Sequence, residues 1–392
     1  MYASAVFQSR RPLTFAAIAL YLPLLAGCGE RVKPNARNGE KTDRESRILD
    51  VAKSLEARGA ELTAGGSDVR VKAVKLTGPR FGDPAVEMIL ALKGLQVITL
   101  VNTGITPNGV ARLANLESLR AIDARGAQVD DQALIALARL PKLDNLKVTG
   151  EAVTDEGAAA LLNKPERGLR VLGLDGTSAG QKTVDELFLR SKPSTSQLKE
   201  VYLADCPITK LNSNQDAVVQ YLTKLRLAGC GVGGTDMQAL ITSRITDLDV
   251  SRTRVDDDAV ASLAAMPELA KLNLYDTAVT GANLGQFARR GKLVWLNIDK
   301  TQVTDASLPQ VAQIQSLTWL HLGRCDVTDD GIQVLAALEN LQALTLTRTQ
   351  VTRAGATTLK ESLPACEITI GDPDTATIEV SVGGYPAGMG RD

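Results

Sequence analysis

Residues 293–316 read LVWLNIDKTQVTDASLPQVAQIQS, and residues 317–340 read LTWLHLGRCDVTDDGIQVLAALEN. Overlaid, the two stretches match apolar residues at places 1, 4 and 6 (Leu293, Leu296 and Ile298 on Leu317, Leu320 and Leu322). They also match a small residue at place 9 (Thr301 on Cys325) and valine at place 11 (Val303 on Val327). Leu95–Ile98–Leu100–Thr103–Ile105 and Leu269–Leu272–Leu274–Thr277–Val279 repeat the pattern elsewhere. First places fall at residues 71, 95, 119, 143, 169, 198, 222, 245, 269, 293, 317 and 341, about twelve units at a period near 24. Internal repetition at this period means a solenoid, in which each unit buries its apolar face only by stacking on its neighbours.

Within a unit, the alternation over places 3 to 6 predicts a short strand with one buried face. Place 11 is followed by Thr or Asp, often with Asp at 13 and Gly at 15, as in Val327–Thr328–Asp329–Asp330–Gly331. Such polar residues suit a helix N-terminus. Places 16, 19 and 22 are apolar again at helical spacing, as in Leu308, Val311 and Ile314. Every unit therefore reads as strand, turn, helix. The expected fold is α/β: a horseshoe with a parallel sheet on its concave face and helices on its convex face.

The LxxLxLxx(T/C)xVT(D) pattern resembles bacterial leucine-rich repeat proteins, and the lipoprotein versions are similar to those of planctomycete-type bacteria. The repeat class, with cysteine or threonine at place 9, also resembles the repeat half of F-box substrate receptors. The resemblance covers residues 71 to about 370 and implies a binding scaffold, not an enzyme. Two departures stand out: Glu151 occupies a ninth place, and Ser191–Gln197 (SKPSTSQ) extends the fifth unit as a surface loop.

Upstream, Arg10–Arg11, the apolar run from Leu13 to Leu25 and small residues before Cys28 describe a secretory signal. Leu25–Ala26–Gly27–Cys28 resembles a lipobox, which implies cleavage before Cys28 and lipidation of its thiol. A plain signal peptide with an incidental cysteine is the alternative. Gly29, not aspartate, follows the cysteine, and by the same resemblance the address is the outer rather than the inner membrane. Sec and twin-arginine export both remain open. The expected organisation is a signal peptide at 1–27, a flexible tether at 28–42, an N-terminal capping helix and turn at 43–70, the repeat domain at 71–370 and a C-terminal cap or tail at 371–392.

Composition narrows the function. The 392 residues carry 44 basic and 45 acidic side chains, a balance that lacks the field needed to hold a phosphate backbone. Nucleic acid is not an expected partner. With a single histidine and no glycine-rich phosphate loop or paired metal-ligand spacing, neither catalysis nor a cofactor is expected. The acidic runs at Asp130–Asp131, Asp256–Asp257–Asp258 and Asp329–Asp330 read as helix N-termini rather than a calcium ladder. Cys206, Cys230 and Cys325 hold ninth places and Cys366 follows them; the favoured reading is buried free thiols, with a Cys206–Cys230 disulfide the alternative.

Places 3 and 5 should point out of the sheet, because 4 and 6 point in. Along the array those pairs include Glu200/Tyr202, Lys224/Arg226, Asp247/Asp249, Lys271/Asn273, Trp295/Asn297, Trp319/His321 and Ala343/Thr345. Both tryptophans and the one histidine thus share this face in adjacent units. Exposed aromatic side chains among polar groups mark interface hot spots and sugar-stacking platforms. The candidate ligand site is Trp295 and Trp319, with His321, Asn297, Asn273, Lys271 and Tyr275 at its rim. The expected partner is a protein or peptide. A carbohydrate or peptidoglycan ligand on the same tryptophans, and a purely structural envelope role with the tryptophans covered by the chain's own tail, are the alternatives. The Lys224/Arg226 and Asp247/Asp249 blocks read as cross-strand pairing, with steering of a charged partner as the alternative.

Overall fold

The computed structural model describes residues 36–65, 68–163, 168–189, 197–212, 217–371 and 379–380. The stretch read as a signal peptide, Cys28, the first part of the stretch read as a tether, residues 191–196 of the segment read as a loop, and most of residues 371–392 lie outside them. Two compact units are present: Met1–Val153 with Arg167–Leu169, and Thr154–Glu166 with Arg170–Asp392. The sequence reads as one uninterrupted array. The division falls where the period is broken, between the first places at 143, 169 and 198.

The first unit opens with a helix, Ala36–Ala57, that starts inside the stretch read as tether. Its Ala52 and Leu55 are fully buried. A hairpin follows: Glu61–Gly65 pairs antiparallel with Asp68–Thr77, an edge strand that sequence periodicity did not reveal. Parallel strands Val97–Val101, Ala121–Asp123 and Asn145–Lys147 continue from it in register. Helices Asp83–Leu90, Pro107–Arg112 and Asp131–Leu137 return the chain between strands. Thr106 and Asp130 cap the latter two by accepting from the backbone N–H three residues on, and Pro107 occupies a first-turn position where its missing N–H costs nothing.

In the second unit, strands Val171–Gly173, Glu200–Tyr202, Lys224–Arg226, Asp247–Asp249, Lys271–Asn273, Trp295–Asn297, Trp319–His321, Ala343–Thr347 and Glu367–Gly371 form one parallel ladder. Glu379–Val380, within the stretch read as a C-terminal cap or tail, pairs antiparallel with the last of these. Each three-residue strand from Glu200–Tyr202 to Trp319–His321 buries its central residue and leaves both neighbours at the surface. Leu272, Leu296, Leu320 and Leu344, stacked directly over one another, are at most 1% exposed.

The return segments depart from the uniform helices expected. Asp155–Leu162, Gln181–Phe188, Asp257–Ala264 and Arg353–Ser362 are α-helical, but Val218–Tyr221, Gly234–Leu240 and Leu284–Arg289 are tighter 3-10 turns. Glycines at 231, 233, 234, 281 and 285 lower the α-helical preference of the last two. The apolar spacing survives because places 16 and 19 still face the core.

Two side-chain devices join consecutive units. Asp at place 13 accepts from the next unit's Thr at place 12: Asp305 takes the N–H and hydroxyl of Thr328 at 2.9 and 2.6 Å, and Asp329 those of Thr352 at 2.7 Å each. These acidic runs are therefore inter-repeat clamps as well as helix starts. At place 8 the backbone turns off the strand with positive φ, at Asp205 (56°), Arg252 (55°), Asp276 (54°), Lys300 (58°), Arg324 (54°) and Arg348 (58°). Non-glycine residues accept this conformation at some cost. Their side chains consequently line up along the sheet's margin, with Arg252 on Asp205 at 2.9 Å and Lys300 on Asp276 at 2.7 Å.

Candidate functional site

The strand register sets Lys271, Trp295, Trp319 and Ala343 side by side in one row, and Asn273, Asn297, His321 and Thr345 in the next. Adjacent strands stand about 4.8 Å apart, so planar side chains in one row are within stacking distance. Trp295 and Trp319 stack with ring centroids 4.3 Å apart and planes 5° from parallel. His321 meets Trp319 in a T-shape, centroids 5.7 Å apart and planes 87° apart. All three are half-buried on the solvent side of the sheet.

Asn273 and Asn297 are less available than their sequence places suggest. The Asn297 side-chain oxygen accepts the Asp299 N–H at 3.0 Å, and that of Asn273 accepts the Tyr275 N–H at 3.1 Å. Each locks the turn leaving its own strand and keeps only its NH2 for a ligand. Tyr275 is held away from the indoles: the Arg324 guanidinium lies over its ring, 5.2 Å from the centroid. Lys271 is exposed in register beside Trp295, and among the described residues it makes no ion pair.

Asp299 and Arg324 belong to the site although the sequence pattern did not select them. Asp299 is only 2% exposed and accepts from Arg324 Nε at 2.9 Å and from its terminal nitrogen at 2.5 Å. His321 Nε2 approaches the same carboxylate at 3.6 Å, too far for a hydrogen bond, and has no hydrogen-bond partner among the described residues. Burial pushes the His321 pKa down, and the facing Asp299 only partly offsets it. Gly323 is required here, since a Cβ would come within 2.8 Å of His321 Nε2 and 2.9 Å of the Thr347 hydroxyl. A place-7 aspartate next to a place-8 arginine one repeat on was the available signal.

The neighbouring charges form ion pairs with one another, although Arg226 Nε makes no hydrogen bond among the described residues. Lys224 pairs with Asp247 at 3.0 Å, and Arg226 lies between Asp175 at 3.4 Å and Asp249 at 3.3 Å. Lys224 also covers the Tyr202 ring at 5.6 Å, while the Tyr202 hydroxyl donates to Glu200 at 2.8 Å. This is the cross-strand pairing expected of a wet sheet surface.

The four described cysteines, Cys206, Cys230, Cys325 and Cys366, are buried free thiols. Threonine at place 9 donates to its own strand at Thr177, Thr253, Thr277, Thr301 and Thr349, as Thr301 does to the Ile298 carbonyl at 2.7 Å, while Thr103 reaches Gly126 O in the next unit and cysteine reaches the preceding one. Cys206 donates to Leu174 O at 3.1 Å, Cys230 to Leu203 O at 3.1 Å and Cys325 to Ile298 O at 3.2 Å. Among the described residues, no group of acidic, histidine and cysteine side chains is arranged to hold a metal ion. Nor is any described helix long and apolar enough to cross a membrane.

The fold is a leucine-rich repeat solenoid, and comparison with known proteins agrees. A family model described as Leucine Rich repeat matches residues 220–240 and 313–336, the second stretch carrying Trp319, His321 and Arg324. No curated protein matches the chain. An internalin from Listeria monocytogenes is similar in structure, with a TM-score of 0.53 at 17% identity, over 78% of this chain and 87% of that one. A chain of the yeast Rad7 and Elc1 complex is similar with a TM-score of 0.55 at 17% identity, over 94% of this chain and 96% of that one. Proteins of this fold commonly mediate protein–protein interaction and generally serve as non-enzymatic scaffolds.

Proposed function

We propose that this chain is a lipid-anchored binding module of a bacterial cell envelope, which takes a protein or peptide ligand on the solvent face of its sheet around Trp295 and Trp319. One observation carries the ligand site: two indoles stacked at 4.3 Å on a polar sheet surface, in a chain with 3% aromatic residues. Tryptophan offers large, rigid contact area at small entropic cost, and side chains of this kind dominate interface energetics. The NH2 groups of Asn273 and Asn297 and the unpaired Lys271 supply polar contacts around it.

The anchor rests on Leu25–Ala26–Gly27–Cys28 and the apolar run before it, and the outer-membrane address on Gly29. One acyl chain alone binds a membrane reversibly, so a lipidated N-terminal cysteine with more than one chain is what stable anchoring requires.

The test joins fluorescence to capture. In the chain lacking residues 1–28, acrylamide should quench the emission of both tryptophans, because they face water. Wild-type protein should retain an envelope protein that Trp295→Ala and Trp319→Ala fail to retain, and the purified pair should lose about 2 kcal/mol or more with either change. Emission shielded from acrylamide would remove the site. For the anchor, Cys28→Ser should release the protein from membranes; unchanged sedimentation with membranes would remove it.

A further inference from the structure

The row that holds the stacked tryptophans ends asymmetrically. On the far side of Trp295 stands Lys271, a cation with no acidic partner among the described residues. On the far side of Trp319 stands Ala343, whose side chain is one methyl group, and beyond it Glu367. Trp295 covers one face of Trp319, and His321, on the same strand as Trp319, meets it in a T-shape. Among the described residues no other ring stacks on Trp319, and its second face looks toward the single methyl group of Ala343. Two strand spacings, ~9.6 Å, separate the Trp319 strand from the Glu367 strand. One planar group fits between them, as Trp295 already does against Trp319 at 4.3 Å.

The charges select which planar group. The face of an indole is the negative pole of its quadrupole and attracts a cation, most of all when that cation is a flat guanidinium able to stack. Glu367 is half-buried at the far wall of the slot and makes no ion pair among the described residues. A guanidinium lying flat on Trp319 would turn its other face toward that carboxylate across the slot, an attraction between opposite charges that a neutral group lacks. Lys271 repels a cation from the opposite end of the stack, so only one end accepts it. Thr345 and Thr369 border the slot along the strands with neutral hydroxyls.

We propose that the gap above Ala343 is a slot for one arginine side chain of a protein partner, stacked on Trp319 and paired with Glu367. The proposal rests on the reading of this face as the ligand surface and names the residue of the ligand that the tryptophans take.

The experiment titrates the chain lacking residues 1–28, followed by tryptophan emission, with the blocked peptide acetyl-Gly-Gly-Arg-Gly-Gly-amide and with its lysine and citrulline counterparts. The arginine peptide should give a saturable change, and the uncharged, isosteric citrulline peptide should bind at least about tenfold more weakly, as loss of the guanidinium's charge implies. Glu367→Gln should weaken the arginine peptide by a similar factor. Ala343→Leu, a solvent-side change that fills the slot, should abolish the response while leaving the urea midpoint in place. Equal binding of arginine and citrulline peptides, or binding unaffected by Ala343→Leu, overturns the slot. Failure is separable from that of the wider site. A partner lost on Trp319→Ala but retained by Ala343→Leu and Glu367→Gln sinks the arginine slot alone, whereas shielded tryptophan emission sinks both.

Discussion

The guanidinium of Arg324 and the carboxylate of Asp299, from consecutive repeats, form a two-pronged ion pair whose partners differ sharply in solvent access. The Asp299 side chain is 3% exposed and the Arg324 side chain 38%. Arg324 approaches from a backbone in the left-handed region, φ 54°, and its outer face stacks on Tyr275. The pair thus couples the turn of one repeat to the turn of the next, directly beneath His321.

Unequal exposure predicts unequal mutational costs. Arg324→Ala strands a buried carboxylate and should cost about 3 kcal/mol, whereas Asp299→Asn leaves an arginine that can turn to water and should cost about 1 kcal/mol. Urea midpoints of the two variants measure the order. Equal or reversed costs would mean that Asp299 reaches water when unpaired.

His321 should make stability depend on pH. Burial lowers its pKa below the ordinary value of 6.5, so the folded state holds the neutral ring and the unfolded state binds the proton first as pH falls. Stability is then full above pH 6.5, declines as pH drops below it, and levels off once pH has passed the folded value. As the chain's only histidine, it gives a single imidazole signal for NMR titration. A midpoint at or above 6.5 contradicts the burial argument, and His321→Gln should remove the decline.

Thiol reactivity separates core cysteines from accessible ones. Burial raises all four thiols, Cys230 to about 12 and Cys366 to about 11, so little thiolate exists near neutral pH. With Cys28 removed, a disulfide-exchange reagent should leave the native protein unlabelled and react with four thiols after denaturation. Rapid labelling of the native protein would show that the core opens locally around these residues.

The legible and illegible parts of this chain divide by the range of the interactions involved. Places 1, 4 and 6 are each dictated by burial in their own repeat, so Leu293, Leu296 and Ile298 announce strand, face and register without reference to any other segment. The outward rows followed directly from that register, and with them the adjacency of Trp295 and Trp319. Features made between repeats were not visible in the same way. Asp299 looks like an ordinary solvent-facing residue until Arg324 of the next repeat closes over it. The edge strand Glu61–Gly65 lies before the periodic stretch and follows a different pairing rule, antiparallel rather than parallel. Glycine-bearing return segments read as helices because their apolar spacing is shared by the 3-10 turns they form.

Two glycines with left-handed backbone, Gly229 at place 8 and Gly291 just after the Leu284–Arg289 turn, give a last, paired prediction. Gly229 has φ +71°, and an added Cβ would collide with the Asp205 carboxylate that receives Arg252 from two strands away. Gly291 has a comparable φ of +61° but nothing within 4 Å of an added Cβ. Alanine at Gly291 should therefore cost only the conformational penalty, about 1 kcal/mol. Gly229→Ala adds displacement of Asp205 from Arg252, an exposed pair contributing at most about 1 kcal/mol, and the strain of relieving the overlap. It should thus be the more damaging of the two by roughly 1–2 kcal/mol in urea unfolding. Asp205→Ala in the Gly229→Ala background removes the overlap without restoring the ion pair, so it should recover the strain part of that excess. If the double variant is no more stable than Gly229→Ala, the overlap contributes nothing, and the excess lies in the backbone and the lost Asp205–Arg252 bridge.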